Sequence, residues 1–136
     1  MKYKLLFLGR HGQGWHNVAE AFYGTPAWDD DWSKLNGNGT ITWGPDAQLT
    51  PLGVEQAKNA TAAWKEELLA GIPEPEVLYS SPLSRAAETA KITFDWWFSN
   101  KEKGKILEVG RSNSSEAQSF DRCLLGTPRG DGRTHL

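Results

Sequence analysis

The chain has 136 residues, of which 38% are hydrophobic and 24% charged, with a net charge of −2. That is one domain's length, too apolar for wholesale disorder and too weakly charged for general attraction to nucleic acid or anionic lipid. A single Cys123 excludes an internal disulfide framework and any multi-cysteine zinc site, and the apolar run at residues 5–8 is too short for a secretory signal or a membrane span. The expectation is a cytoplasmic chain, with the nucleus left open, that has neither nucleic acid nor membrane as partner. Its oligomeric state is not legible.

Residues 2–9, KYKLLFLG, read as a buried strand: a short apolar core closed by glycine. Gly12 and Gly14 suit a tight turn, after which Val18, Ala19, Phe22 and Tyr23 recur at helical spacing as far as Gly24. Residues 24–48 hold no sustained period and many Gly, Asp and Trp, and they read as a long excursion that its tryptophans keep ordered. Thr50-Pro51 is a helix start, a hydroxyl N-cap with proline at the first helical position. Ala57, Ala60, Trp64 and Leu68 follow at helical spacing, and Gly71 and Pro73 close the helix. Residues 75–80, PEVLYS, read as a second strand. Ser81-Pro82 repeats the cap-plus-proline start, and the helix SRAAETAKITFDWWF then runs to about Phe98 with Ala86, Ala90, Phe94 and Trp97 on one face. Residues 105–109, KILEV, suit a third strand, and beyond Gly110 no period is visible.

Composition changes near residue 100. All seven tryptophans precede residue 98, and residues 1–100 carry eight Lys/Arg against twelve Asp/Glu, whereas 101–136 carry seven against five. The informative part is therefore 1–97. Its alternation of strands and helices predicts an α/β fold with a parallel sheet, in which ligands gather at the carboxyl ends of strands. The turns after Leu8 and Tyr79 both lie at that edge, which would bring Arg10, His11 and Arg85 to one side of the molecule.

Those residue types suit a phosphoryl group. Gly12 lets backbone amides approach a ligand, and arginine offers a planar, permanently charged fork to phosphate oxygens. A neutral imidazole can attack phosphorus or move a proton. Asn17 lies in the first turn of a helix, where amides and the helix dipole favour an anion. Trp28, Trp32 and Trp43 either pack the excursion or shape a substrate rim. Gly12-x-Gly14 also touches the dinucleotide-binding pattern, but its third glycine position is Asn17, and the acids 29–31 fall in the excursion rather than at a strand end.

LGRHGQGWHN resembles the signature of the histidine phosphatase superfamily, the phosphoglycerate mutase-like proteins. LTPLGVEQA is similar to that family's second conserved stretch and LYSSPLSRAAETA to its third, and the Trp- and Asp-rich excursion resembles fungal or plant-type members. The likeness spans roughly residues 4–95. It implies a three-layer α/β sandwich with a mostly parallel sheet, here cut short on its carboxyl side. It implies phosphomonoester hydrolysis of a small phosphorylated substrate through a phosphohistidine at His11, with Arg10 and Arg85 as clamps on the phosphoryl oxygens. Gly12 and Asn17 would assist phosphate binding and His16 would line the pocket. No cofactor and no metal is implied.

The same resemblance implies a carboxylate acid in mid-chain and a second histidine near the last strand. The remaining histidine, His135, has no strand before it and only Leu136 after it, and Glu108 and Glu116 sit in no recognisable motif. The chain thus reads as residues 1–100, the amino-terminal part of a histidine phosphatase domain, followed by 101–136, an atypical tail for which disorder is one expectation. A truncated gene product, a splice form or a shifted reading frame would each give that pattern. The alternative to an active phosphatase is an inactive, truncated phosphatase-like protein that only binds phosphate or partners.

Overall fold

The computed structural model describes residues 3–99 and the backbone of 106–108. Its elements are α1 (Trp15–Tyr23), α2 (Thr25–Asp30), a 3-10 turn (Trp32–Lys34), α3 (Pro51–Leu69), β1 (Leu78–Ser80), α4 (Ser84–Thr93), α5 (Asp95–Phe98) and β2 (Ile106–Glu108). β1 and β2 pair in parallel, Leu78 opposite Ile106 and Ser80 opposite Glu108. The strand–helix–parallel strand order expected from residues 75–109 is therefore present, and the α/β class holds for that segment.

The three-layer sandwich does not appear among the described residues, which form helices around one two-stranded sheet. Residues 3–9 join no ladder among the described residues, and Leu5, Leu6 and Leu8 are 64%, 76% and 87% exposed. A strand buried on both faces needs neighbours on its edges and cover above and below. Here only Phe7 finds an aromatic partner, meeting Trp64 edge-on with ring centroids 4.9 Å apart. Apart from the backbone of 106–108, the tail expectations, including those for Glu116, Cys123 and His135, lie outside the described residues.

Elsewhere local signals set the elements. Thr50 caps α3 through Gly53 N–H, Pro51 opens it, and Gly71 beyond its end has φ +98°, the left-handed region that suits glycine. Gly24, at φ 83°, ends α1 as expected. The helix expected from Ser84 to about Phe98 starts where expected but breaks at Phe94 (φ −111°, ψ 24°). The break lets α5 turn Trp97 inward, where it is 2% exposed and donates its indole N–H to Pro75 O at 3.0 Å. Ala87, rather than Ala86, joins Leu78 and Trp97 in that core. α3 and α4 are laced together by Thr61, whose hydroxyl donates to Ile92 O at 2.8 Å, and by Trp64 against Phe94.

The excursion is ordered and carries α2 and the 3-10 turn, so its lack of period concealed two short helical pieces. Its centre is Trp43, 4% exposed, with its indole N–H on Leu35 O at 2.7 Å. Trp28 and Trp32 meet its ring edge-on, and Trp32 stacks flat on Tyr23 at 3.9 Å. Such aromatic pairs add to the area they bury, which is how a segment rich in Gly and Asp holds one conformation.

Candidate active site

Three helices border the loop 10–14. Gly14 precedes α1, donating its N–H to Asn17 Oδ1 at 3.0 Å and accepting Asn17 N–H at 2.9 Å. α3 begins against Gln13. Thr50 N–H donates to Gln13 O at 2.9 Å, the Thr50 hydroxyl to Gln13 Oε1 at 2.8 Å, and Gln13 N–H to Gln56 Oε1 at 2.8 Å. A Cβ on Gly12 would stand 2.4 Å from Gly53 O, and one on Gly53 would stand 2.1 Å from Gln13 O. Two backbones touch here, and both positions require glycine. α4 closes the third side: Gly12 N–H donates to Thr89 Oγ1 at 3.1 Å, and that hydroxyl donates to Arg85 O at 2.7 Å. The starts of α1 and α3 thus border the loop, a setting that favours an anion, and α4 lies along its third side.

The functional side chains sit on this frame. Arg85, the second residue of α4, donates its Nε–H to His11 Nε2 at 3.2 Å. His11 Nδ1 lies 2.6 Å from Gly12 O. A carbonyl only accepts, so Nδ1 holds the proton and Nε2 carries the lone pair that Arg85 meets. Asp46 anchors the start of α4, its carboxylate accepting Ser84 N–H at 3.1 Å and the Ser84 hydroxyl. The excursion thereby fixes the helix that presents Arg85.

His16 lies beside this pair, its ring centroid 5.4 Å from that of His11. Its Nδ1 is buried without a hydrogen-bond partner among the described residues, tucked against Gly14, where a Cβ would come within 2.6 Å of it. Burial, then the charge of Arg85 and the neighbouring His11 and Arg10, lower its pKa from 6.5 to about 4, with Glu20 opposing. His16 is therefore a neutral imidazole near neutral pH. It opens onto a cavity of about 180 Å³ that Arg85, Trp28, Trp43 and Pro45 also line.

Of the residues expected at the site, His11, Gly12, His16 and Arg85 are brought together. Asn17 stands one turn away with its Oδ1 engaged in holding the loop. Arg10 is exposed, makes no hydrogen bond or ion pair among the described residues, and is near enough for its charge to act on His16. Trp28 and Trp43 face the cavity, whereas Trp32 packs on Tyr23. The frame residues Asp46, Thr50, Gly53, Gln56 and Thr89 were not singled out as parts of the site from the sequence. Gly53 gave a signal, a glycine inside a helical pattern, which often marks close backbone approach.

Residues 6–97 match the histidine phosphatase superfamily, branch 1. The chain belongs to that superfamily. Histidine phosphatases act on small phosphorylated substrates. The chain is 61% identical over 94 residues to a probable phosphoglycerate mutase of Arthroderma benhamiae, covering 69% of this chain and 28% of that protein. It is 41% identical over 92 residues to phosphomutase-like protein 3 of Candida albicans (68% of this chain, 28% of that protein). A probable phosphoglycerate mutase of Saccharomyces cerevisiae is 44% identical over 91 residues (64% and 30%). The chain thus spans under a third of the length of the curated relatives it matches. No solved structure matches it.

Proposed function

We propose that this chain carries the nucleophilic half of a phosphomonoester hydrolase, with His11 as nucleophile. The observation that supports this most is the placing of His11, its Nδ1 2.6 Å from the acceptor Gly12 O and its Nε2 3.2 Å from the Arg85 guanidinium, which fits a ring with its lone pair on Nε2. In the reaction Nε2 attacks phosphorus and the bond from phosphorus to the leaving oxygen breaks. The leaving alkoxide takes a proton from solvent water, and a second water then attacks phosphorus and breaks the phosphorus–Nε2 bond, releasing phosphate and free imidazole. Arg85 exchanges its contact with Nε2 for the phosphoryl oxygens as substrate arrives. Arg10 adds charge from the exposed side, Gly12 allows close approach and Asn17 steadies the loop. Stabilisation of the transferring group by fixed charge is the main catalytic effect expected of such a site.

A second reading is a phosphate-binding protein without turnover. It is favoured by the cavity lining, which includes no carboxylate among the described residues to protonate the leaving group. One experiment separates the two: hydrolysis of para-nitrophenyl phosphate by the chain beside His11→Ala. Turnover that falls at least about a hundredfold in the variant, with an acid-labile phosphohistidine trapped on the unsubstituted chain, supports the hydrolase. A folded chain that binds phosphate without turnover supports the second reading.

A further inference from the structure

Thr89 stands on α4 one turn beyond Arg85, half-buried, and its hydroxyl serves two partners at once. It donates to Arg85 O at 2.7 Å and accepts Gly12 N–H at 3.1 Å. The first bond is ordinary for a helical threonine, and Thr61 makes the same bond to Ala57 O on α3 at 3.1 Å. The second is not, because it reaches a residue 77 positions away in the chain. Gly12 follows His11 directly, so this bond holds the peptide between them and with it the backbone from which the His11 ring projects. Gly12 O meets the same ring at Nδ1, and Arg85 Nε–H meets it at Nε2. His11 and Arg85 are thus joined twice: directly through their side chains, and through the Thr89 hydroxyl by way of Gly12 N–H and Arg85 O.

We infer that Thr89 is a positioning residue whose hydroxyl keeps His11 and Arg85 in register once a phosphoryl group has drawn Arg85 away from Nε2. The inference rests on the phosphoryl site proposed above. In that reaction the direct contact is given up as substrate arrives, the guanidinium turning to the phosphoryl oxygens and Nε2 to phosphorus. The link through Thr89 uses only main-chain atoms of Gly12 and Arg85, so the same exchange leaves it intact. On the α3 side Gly12 is stopped by close contact with Gly53 O, and on the α4 side Thr89 draws it in. Without the hydroxyl the Gly12 N–H loses its acceptor and the loop is free to turn that group toward water. A shift of about 1 Å at a reacting group is enough to matter in such a site.

The test compares Thr89→Val, which keeps the shape and removes the hydroxyl, with Thr89→Ser, which keeps the hydroxyl, in the full chain. Affinity for inorganic phosphate is read by calorimetric titration, and the His11 ring nitrogens by 15N NMR with and without saturating phosphate. In Thr89→Val phosphate affinity is expected to fall about tenfold, the scale of one buried hydrogen bond left unmade. The His11 nitrogens should shift little in the free variant, where Arg85 still meets Nε2, and clearly in the phosphate-bound one. Thr89→Ser should bind as the unsubstituted chain does. Thr89→Ala removes the same hydroxyl, should show the same loss, and guards against a valine variant that fails to fold. A threonine that only stabilises α4 would lower the thermal midpoint of Thr89→Val and leave the folded chain's phosphate affinity and His11 signals unchanged. That result, or an equal loss in Thr89→Ser, overturns the inference while the phosphoryl site stands. If the folded, unsubstituted chain binds no phosphate, both fall.

Discussion

His11 and His16, five residues apart, sit with their rings 5.4 Å from one another in opposite electrostatic situations. His11 is tied at both nitrogens, one proton given to a carbonyl and one lone pair met by a guanidinium. His16 is held neutral by burial and by the cationic side chains around it. That difference makes one ring a candidate nucleophile and the other part of a wall. It also has a consequence for stability. With a pKa of about 4 in the folded chain against 6.5 as its ordinary value, His16 takes up a proton in the unfolded chain first. Its contribution is intact above pH 6.5, declines as pH falls from 6.5 to 4, and levels off below. Replacing it by glutamine should flatten that part of the urea-midpoint profile, and proton NMR should place the His16 titration near 4. Gly12 is the other residue with little latitude. In Gly12→Ala the new methyl meets Gly53 O, so urea denaturation should show a loss of about 1–3 kcal/mol, the range for overpacking a tight contact.

Among elements, α4 matters most, because it carries Arg85 and its position decides where that guanidinium points. The helix is held from outside by Asp46, which takes the backbone N–H and hydroxyl of Ser84 as an N-terminal cap supplied by a distant segment. Asp46→Ala should lower stability by about 1 kcal/mol, the scale of a lost cap, and should weaken any phosphomonoester turnover more than the melting shift explains. Asp46→Asn keeps an acceptor and should retain most of the stability. Thermal melts and the para-nitrophenyl phosphate assay on both variants check this. The start of α3 works in the same manner: the second of the three family-like stretches contributes no reacting group, yet Thr50, Gly53 and Gln56 hold residues 12 and 13 in place.

For the whole molecule, the notable feature is the apolar stretch at residues 3–8. Tyr3, Leu5, Leu6 and Leu8 are all well exposed, and no ladder among the described residues engages them. Contiguous apolar surface of this kind drives association. The isolated chain should therefore self-associate with rising concentration, as read by light scattering. Leu6→Lys together with Leu8→Lys should suppress that association without lowering the thermal midpoint, since neither side chain is buried in the fold.

Local chemistry was enough to place from the residues alone the stop of α1 at Gly24 and the cap and stop of α3. These depend on short-range rules, a hydroxyl before proline and a glycine at positive φ, whereas His11 meets Arg85 through the packing of residues 10–14 against α3 and α4 and not at the sheet edge from which the meeting was expected. The strand expected at 2–9 did not form among the described residues, because an apolar run declares its need for cover without providing it. The start of α4 at Ser84 was legible, but the carboxylate 38 residues away that caps it there was not. Trp28 and Trp43 as a rim and His16 as a pocket wall were separate readings of the sequence; that they share one cavity was not legible, because its walls come from separate segments and only packing in three dimensions sets them side by side.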